Sequence, residues 1–326
     1  MQSSESTIIH KILKGYFGDI ESELQANTSY EYTRLTGGLT NYNYIVKEAG
    51  KTDYFLKIFR KAPPQRVKSL VYLTGILQDQ NFPTPHILKP IVGNYWQEGE
   101  YTAIITEYIT GFHPVQSVEN LHRIGNVMSV LHILQPDPEA SEKLLQSYSL
   151  NFQNRMAQMH GIKIPVELSS FLDMARPHID KIEFESFYRS IIHGDIFLDN
   201  VMVSELDDLF FIDFEGGCID NSIFDIARTI IGCCLKYGKI DAELCSAFLF
   251  GYTMIRTLEP NEVEMLYEYI IYAGTVSALW RFTEFNIARP EENRRDIYRE
   301  LMQPTLALIH MGKKNAYDLF LNSAAT

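Results

Sequence analysis

Residues 191–203 read I-I-H-G-D-I-F-L-D-N-V-M-V, and residues 210–217 read F-F-I-D-F-E-G-G. Four carboxylates (Asp195, Asp199, Asp213 and Glu215) and the amide of Asn200 therefore crowd between two strongly apolar pieces. Burying a carboxylate is costly unless it is paired, so the cluster needs either turns that expose it or cations that hold it. Asp, Asn and Gly do favour turns through their own side-chain hydrogen bonds, which accounts for each residue taken singly. As a set they suggest more. An amide oxygen and a carboxylate are hard ligands of the kind that hold Mg²⁺ together with phosphate oxygens. A second Asp nearby can accept the proton of a substrate hydroxyl.

The rest of the chain bounds what this cluster can serve. With 326 residues, 46% of them hydrophobic, it can bury one large core or two modest ones. A net charge of -12 opposes binding to a nucleic-acid backbone or an anionic membrane surface, and a cationic or zwitterionic small molecule is the more natural partner. Cys218, Cys233, Cys234 and Cys245 show no C-x-x-C spacing and read as reduced thiols of a core. The first residues lack a basic stretch followed by an apolar one, and no run of about 18 apolar residues occurs. A soluble, cytoplasmic protein is expected.

The local grammar changes near residue 110. Ile8, Ile9, Ile12, Leu13, Tyr16 and Phe17 recur at helical spacing before Gly18. Aromatic and β-branched runs then predict strands over 30–35, 42–47 and 54–59, with a hairpin turn at 49–52. Pro63 and Pro64 open a helix that ends before Phe82-Pro83-Thr84-Pro85, and strands are predicted over 87–92 and 101–108. From Val118 onward the pattern is helical, interrupted by short strand-like pieces around 201–203 and 210–214. The reading is a mostly β small lobe over 1–108 and a mostly α large lobe over 109–326.

The spacing D-x-x-x-x-N followed by D-F matches the catalytic loop and metal-binding pattern of kinases, with His-Gly-Asp where those have His-Arg-Asp. On these residues the chain resembles the aminoglycoside phosphotransferase and choline kinase family, small-molecule kinases with a two-lobed, α+β, protein-kinase-like fold. The run H-G-D-I-F-L-D-N-V is most similar to the homoserine kinase branch. The resemblance implies Asp195 as catalytic base, Asn200 and Asp213 as Mg²⁺ ligands and His193 as a loop-shaping residue. It also implies that Asp225, in I-F-D-I-A, ties a helix of the large lobe to the catalytic loop. One departure is Glu215, which follows Asp213-Phe214 where the homoserine branch usually has Tyr. This is more similar to choline and aminoglycoside kinases.

The nucleotide-binding parts have defined places in the small lobe. Gly37 and Gly38 lie between two strands, where backbone amides could approach phosphate, although a plain hairpin turn reads the same way. Lys57, inside the apolar run Y-F-L-K-I-F, needs an anionic partner, which the ATP phosphates would supply, or else a position on an edge strand from which its head reaches water. The resemblance places the lobe hinge where the buried run T-A-I-I-T-E-Y-I-T-G-F, residues 102–112, reaches Gly111, with adenine pairing to backbone near Glu107 and Ile109. No Glu occurs in the helix after Lys57, so the usual lysine–glutamate pair has no obvious partner.

The acceptor must be read from the large lobe. Residues 273–286, A-G-T-V-S-A-L-W-R-F-T-E-F-N, resemble the homoserine kinase helix that carries an A-L-R-F-type motif, with Trp280 at the place of its arginine and Arg281 one residue later. Arg281 in the cleft would hold an α-carboxylate by two parallel hydrogen bonds. Trp280 there would stack on a quaternary ammonium instead. One residue of shift rotates a helical side chain by about 100°, so the two cannot face the same way. Glu215 and Glu284 are candidates for an ammonium contact, and Tyr42 and Asn43 are further ones. The expected activity is ATP- and Mg²⁺-dependent phosphorylation of a hydroxyl on a small amino compound. Homoserine leads. Choline or another amino alcohol, an aminoglycoside, a non-catalytic nucleotide-binding kinase fold and a metal-dependent hydrolase remain open.

Overall fold

The computed structural model describes residues 2–18, 30–35, 41–48, 53–59, 64–136, 140–144, 148 and 151–321. Gly37, Gly38 and the expected 49–52 turn lie outside them. Helix α1 (Gln2–Phe17) precedes strands β1 (Tyr30–Arg34), β2 (Tyr42–Glu48) and β3 (Tyr54–Phe59). Helix α2 (Pro64–Asp79), β4 (Trp96–Glu98) and β5 (Tyr101–Glu107) follow. The strands form one antiparallel sheet in the order β1-β2-β3-β5-β4.

The alternation of side chains along β3 divides this small lobe into two layers. Leu56 and Ile58 turn outward with Tyr44, Val46, Ala103 and Ile105 and bury Ile9, Ile12 and Leu13 of α1. Phe59 and Ile104 turn inward and join Val67, Leu70, Leu73 and Leu77 of α2 in the main core. Lys57, opposite Ile104 in the register, shares that inward face.

The expected strand over 87–92 does not form. Ile87 makes an isolated bridge to Thr106, Leu88 N–H donates to Ile105 O, and Gly93 turns left-handed (φ 84°). Pro85 and Pro90 remove donors from this run, and the paired strand comes later, at Trp96.

The large lobe begins with β6 (Gly111–Phe112), α3 (Val118–Ile133), α4 (Ala140–Lys143), α5 (Asn151–Gln158) and α6 (Val166–Ile179). Then come β7 (Arg189–Ile192), β8 (Val201–Ser204), β9 (Leu209–Phe211), β10 (Cys218–Asn221) and α7 (Ser222–Cys233). A small hairpin, β11 (Leu235–Lys236) and β12 (Lys239–Ile240), leads to α8 (Ala242–Thr253), α9 (Pro260–Thr283), α10 (Arg299–Met311) and α11 (Lys313–Leu321). Helix α9 is apolar on nearly all sides and runs buried through the centre, as such a pattern demands. Ser117 caps α3 by accepting from Asn120 N–H at 3.1 Å.

All four cysteines are free and buried, as their spacing implied. Burial pushes the Cys233 thiol up to about 12, which keeps it protonated and inert. Among the described residues no helix is long and apolar enough to cross a membrane.

Candidate active site

The catalytic-loop residues are gathered by two antiparallel strand pairs, one nested in sequence inside the other. Strands β8 and β9 pair Val201 with Phe211, and Ile212 N–H donates to Asn200 O at 3.0 Å. Asn200 is therefore brought beside the residue that precedes Asp213. Strands β7 and β10 pair Ile192 with Cys218, which closes the other side of the same junction. The local spacing noted in the sequence becomes a shared site because both ends of it lie on paired strands.

His193 holds the loop from within. Its Nε2–H donates to Ile212 O at 2.8 Å, and its Nδ1 accepts from Asp195 N–H at 3.3 Å, which defines the tautomer. The ring packs 4.4 Å from that of Phe214. Asp225, fully buried on α7, accepts from the N–H groups of His193 (2.6 Å) and Gly194 (2.7 Å). His132 of α3 backs this carboxylate at 3.3 Å. The tie between Asp225 and the loop that the resemblance implied is thus present, as a carboxylate satisfying two backbone donors that would otherwise be orphaned.

Asp195 points one oxygen into the protein and leaves the rest of its carboxyl open. Arg228 Nη2 donates to Asp195 Oδ1 at 2.5 Å. Asn200 Nδ2 donates to Asp195 O at 2.7 Å, which commits the amide nitrogen and leaves Asn200 Oδ1 as the atom able to ligate a cation. Asp213 takes a left-handed backbone (φ 65°, ψ 58°), a conformation Asp tolerates better than most residues. Among the described residues no group of three His, Cys, Asp or Glu side chains could grip a metal unaided. One amide oxygen and one carboxylate are a fitting partial set for Mg²⁺, which keeps water or phosphate oxygens in most of its positions.

Lys57 is 5% exposed on a central strand, so the reading in which its head reaches water from a sheet edge is excluded. Its Nζ donates to Asp213 Oδ1 and Glu215 Oε1, each at 2.8 Å. Burial by itself pulls the ammonium down, but the two carboxylates outweigh it and hold Lys57 above the usual lysine range. Asp213 is likewise opposed by burial, and Lys57 holds it below the ordinary carboxylate range. The partner missing from α2 is supplied from the large lobe.

Glu215 is already engaged. Besides Lys57 it accepts from Asn41 Nδ2 at 2.6 Å and faces Arg66 of α2 at 3.6 Å. It stands with the nucleotide-side cluster, which disfavours the expected role as an ammonium contact. Glu284 is bound by Arg289. Asn43 lies opposite Lys57 in the register, with its Oδ1 buried and lacking a donor among the described residues. Tyr42 shares the outer face with Ile58, under the Arg34 guanidinium, away from the cleft.

Helix α9 resolves its Trp–Arg pair in part. Trp280 lies edge-on to Phe285, 6.1 Å between ring centres. Arg281 bonds to Glu300 Oε2 at 2.8 Å and sits 5.9 Å from the Phe197 ring, which Arg228 also covers at 4.6 Å. Burial holds Arg281 below the usual arginine range, with Glu300 opposing and Arg228 adding to the effect. At the hinge, Glu107 N–H is spent on His86 O at 2.9 Å and Tyr108 N–H on Asp53 O at 3.2 Å.

Three residues at the site had no role assigned from the sequence. Arg228 could have been suspected from its place one helical turn after Asp225. Asp199 was noticed only as part of the cluster; burial and Asp195 both raise its carboxyl. Tyr148 gives no signal in the sequence: its hydroxyl donates to Gly216 O at 3.0 Å, its ring stacks 4.3 Å from Phe224, and it fills space left open by Gly194 and Gly216.

Comparison with known proteins agrees with this geometry. The model of the phosphotransferase enzyme family matches residues 31–258. The homoserine kinase of Methylobacillus flagellatus is 26% identical over 239 residues, covering 70% of this chain and 72% of that protein. That of Polaromonas naphthalenivorans is 25% identical, covering 71% and 74%. Among solved structures, the amicoumacin kinase hAmiN superposes with a TM-score of 0.72 at 12% identity over 97% of this chain and 96% of its own. The choline kinase of Cryptosporidium parvum Iowa II gives 0.65 at 18% identity over 98% and 99%. A fold shared along the whole length and a family match that includes both the lysine strand and the catalytic loop place this chain in the phosphotransferase enzyme family, as a small-molecule kinase of the aminoglycoside and choline kinase fold.

Proposed function

We propose that the protein transfers the γ-phosphoryl group of ATP to the hydroxyl of homoserine. The observation that carries the acceptor class is Arg281, whose guanidinium lies 5.9 Å from the Phe197 ring of the catalytic loop and is paired with Glu300, an exposed carboxylate that a ligand's carboxylate can replace. A fixed guanidinium next to the catalytic loop suits an acceptor that bears a carboxylate and opposes a quaternary ammonium. The relatives that carry the name homoserine kinase support the same choice.

In this reading Asp195 takes the acceptor proton while the acceptor oxygen attacks the γ-phosphorus in line with the departing ADP. Asn200 Oδ1 and Asp213 hold Mg²⁺, which when bound neutralises phosphate charge. Lys57 releases part of its ion pair to the α- and β-phosphates. Gly37 and Gly38 supply backbone donors to them, and adenine pairs with backbone at Glu107 and Ile109. Arg281 receives the acceptor carboxylate. Asp199, which has no ion-pair partner among the described residues, is better available than Glu284 or Glu215 for the ammonium.

Steady-state ADP production with homoserine and with choline, on wild type, Arg281→Ala and Trp280→Phe, tests the reading. Homoserine should be turned over, with its KM raised strongly by Arg281→Ala and little by Trp280→Phe. Choline turnover that depends on Trp280 and ignores Arg281 would move the acceptor to the amino alcohols. No ADP above background with homoserine would end the homoserine assignment.

A further inference from the structure

Helix α7 presents one face to the catalytic loop, and its residues meet the loop nearly one by one. Asp225, Arg228 and Gly232 stand at i, i+3 and i+7 and so share that face. Asp225 accepts from the N–H of His193 and of Gly194. Arg228 donates to the side chain of Asp195 and covers Phe197. A Cβ on Gly232 would come 2.7 Å from the Phe197 ring, so only glycine leaves the room that the ring fills. Cys233 Sγ lies 3.7 Å from Ile196 O, at the edge of the same face.

The pair formed by Arg228 and Asp195 is asymmetric. The arginine side chain is 11% exposed and that of Asp195 46%. A guanidinium can grip both oxygens of a carboxylate in parallel, yet here the recorded bond is to Oδ1 alone. Arg228 Nε is buried with no acceptor among the described residues. Stacking on Phe197 holds the guanidinium in a position from which it bonds one oxygen of a carboxylate that is otherwise half-exposed. The terminal torsion of a lone Asp is soft, so an exposed carboxylate without such a hold would sample many orientations.

We infer that Arg228 is the positioning residue of the phosphoryl transfer, fixing Asp195 through Oδ1 so that Oδ2 stays aimed at the acceptor hydroxyl. The inference rests on Asp195 being the base. The proton of the acceptor hydroxyl passes to Oδ2 as the acceptor oxygen bonds to the γ-phosphorus and the bond to the β-phosphate oxygen breaks. Arg228 touches neither reactant in this step; it acts through Asp195. Lysine could supply its charge but neither the fork nor the stacking plane.

A double-mutant cycle of Arg228→Ala and Asp195→Asn, read as kcat and as KM for ATP, tests this. Arg228→Ala should lower kcat by about 10²-fold, the scale of a misplaced reacting group, with KM for ATP unchanged. In the Asp195→Asn background the same substitution should cost nothing further, because its route of action is gone. Millimolar methylguanidinium should restore part of kcat to Arg228→Ala and none to the double variant, whereas Arg228→Lys should restore little. Equal losses in both backgrounds, a loss of kcat matched by loss of ATP binding, or full kcat in Arg228→Ala would overturn the inference. Asp195→Asn with full kcat would instead remove the base assignment and this inference with it. If homoserine is not the acceptor, the same cycle read on ADP release to water still tests Arg228, so the acceptor assignment can fail separately.

Discussion

Lys57 on β3 and Glu215, 158 residues later, meet across the cleft with Nζ 2.8 Å from Oε1. Together with Asp213 this carboxylate pairs with the lysine, a partner that the helix after the lysine strand does not supply, and α2 contributes Arg66 to the same carboxylate instead. The lysine is thereby held charged and oriented in a nearly buried place, and the proposed function has it exchange carboxylate for phosphate. Lys57→Ala is expected to raise KM for ATP at least tenfold, because a charge-assisted hydrogen bond contributes about 1.5–3 kcal/mol. A folded variant with wild-type KM and kcat would show that Lys57 serves only the interlobe ion pair.

Asp195→Asn keeps the size and most of the hydrogen-bonding shape of the side chain but cannot take a proton. It should lower kcat by at least ~10²-fold while leaving nucleotide affinity nearly unchanged, since positioned base catalysis contributes about that factor. Full kcat with the true acceptor would disprove the assignment.

For Asp213, binding and stability give separate readouts. Asp213→Ala should abolish Mg²⁺-dependent ATP binding in calorimetry, and unchanged affinity would refute the role. The carboxyl is held below its ordinary range by Lys57, so its contribution to stability is present above the unfolded value of about 3.9 and is lost as pH falls through the folded value. Thermal melts of Asp213→Ala should therefore lose less stability than wild type on acidification from about pH 5 to about pH 3.

Asp225→Ala removes the acceptor of two buried backbone donors at once. Each orphaned donor costs about 1–3 kcal/mol, so urea unfolding should show a loss of several kcal/mol together with low activity. A loss below about 1 kcal/mol would mean that the loop finds other acceptors.

Much of this molecule is written in short-range patterns. The aromatic run over 54–59 becomes β3 with those bounds, the helical spacing of Ile9, Ile12 and Leu13 becomes the buried stripe of α1, and Asp195, Asn200 and Asp213 are brought to one junction by two nested strand pairs. Such features depend on neighbours within about twenty residues, and hydrophobic periodicity reports them directly. Which charges meet is a different matter. Sequence marked Lys57 as a cation needing either an anionic partner or a sheet edge but could not choose Asp213 and Glu215 as its partners, nor give Glu284 to Arg289, nor Arg281 to Glu300. It passed over Arg228, whose partner lies 33 residues earlier on the loop beneath α7. It also placed a strand at 87–92, where only one bridge survives. Periodicity tells which face of an element is buried; the partner is chosen by how whole elements pack, and a helical side chain turns about 100° for each residue of phase. Pairing across the cleft therefore becomes visible only once the two lobes are set against each other.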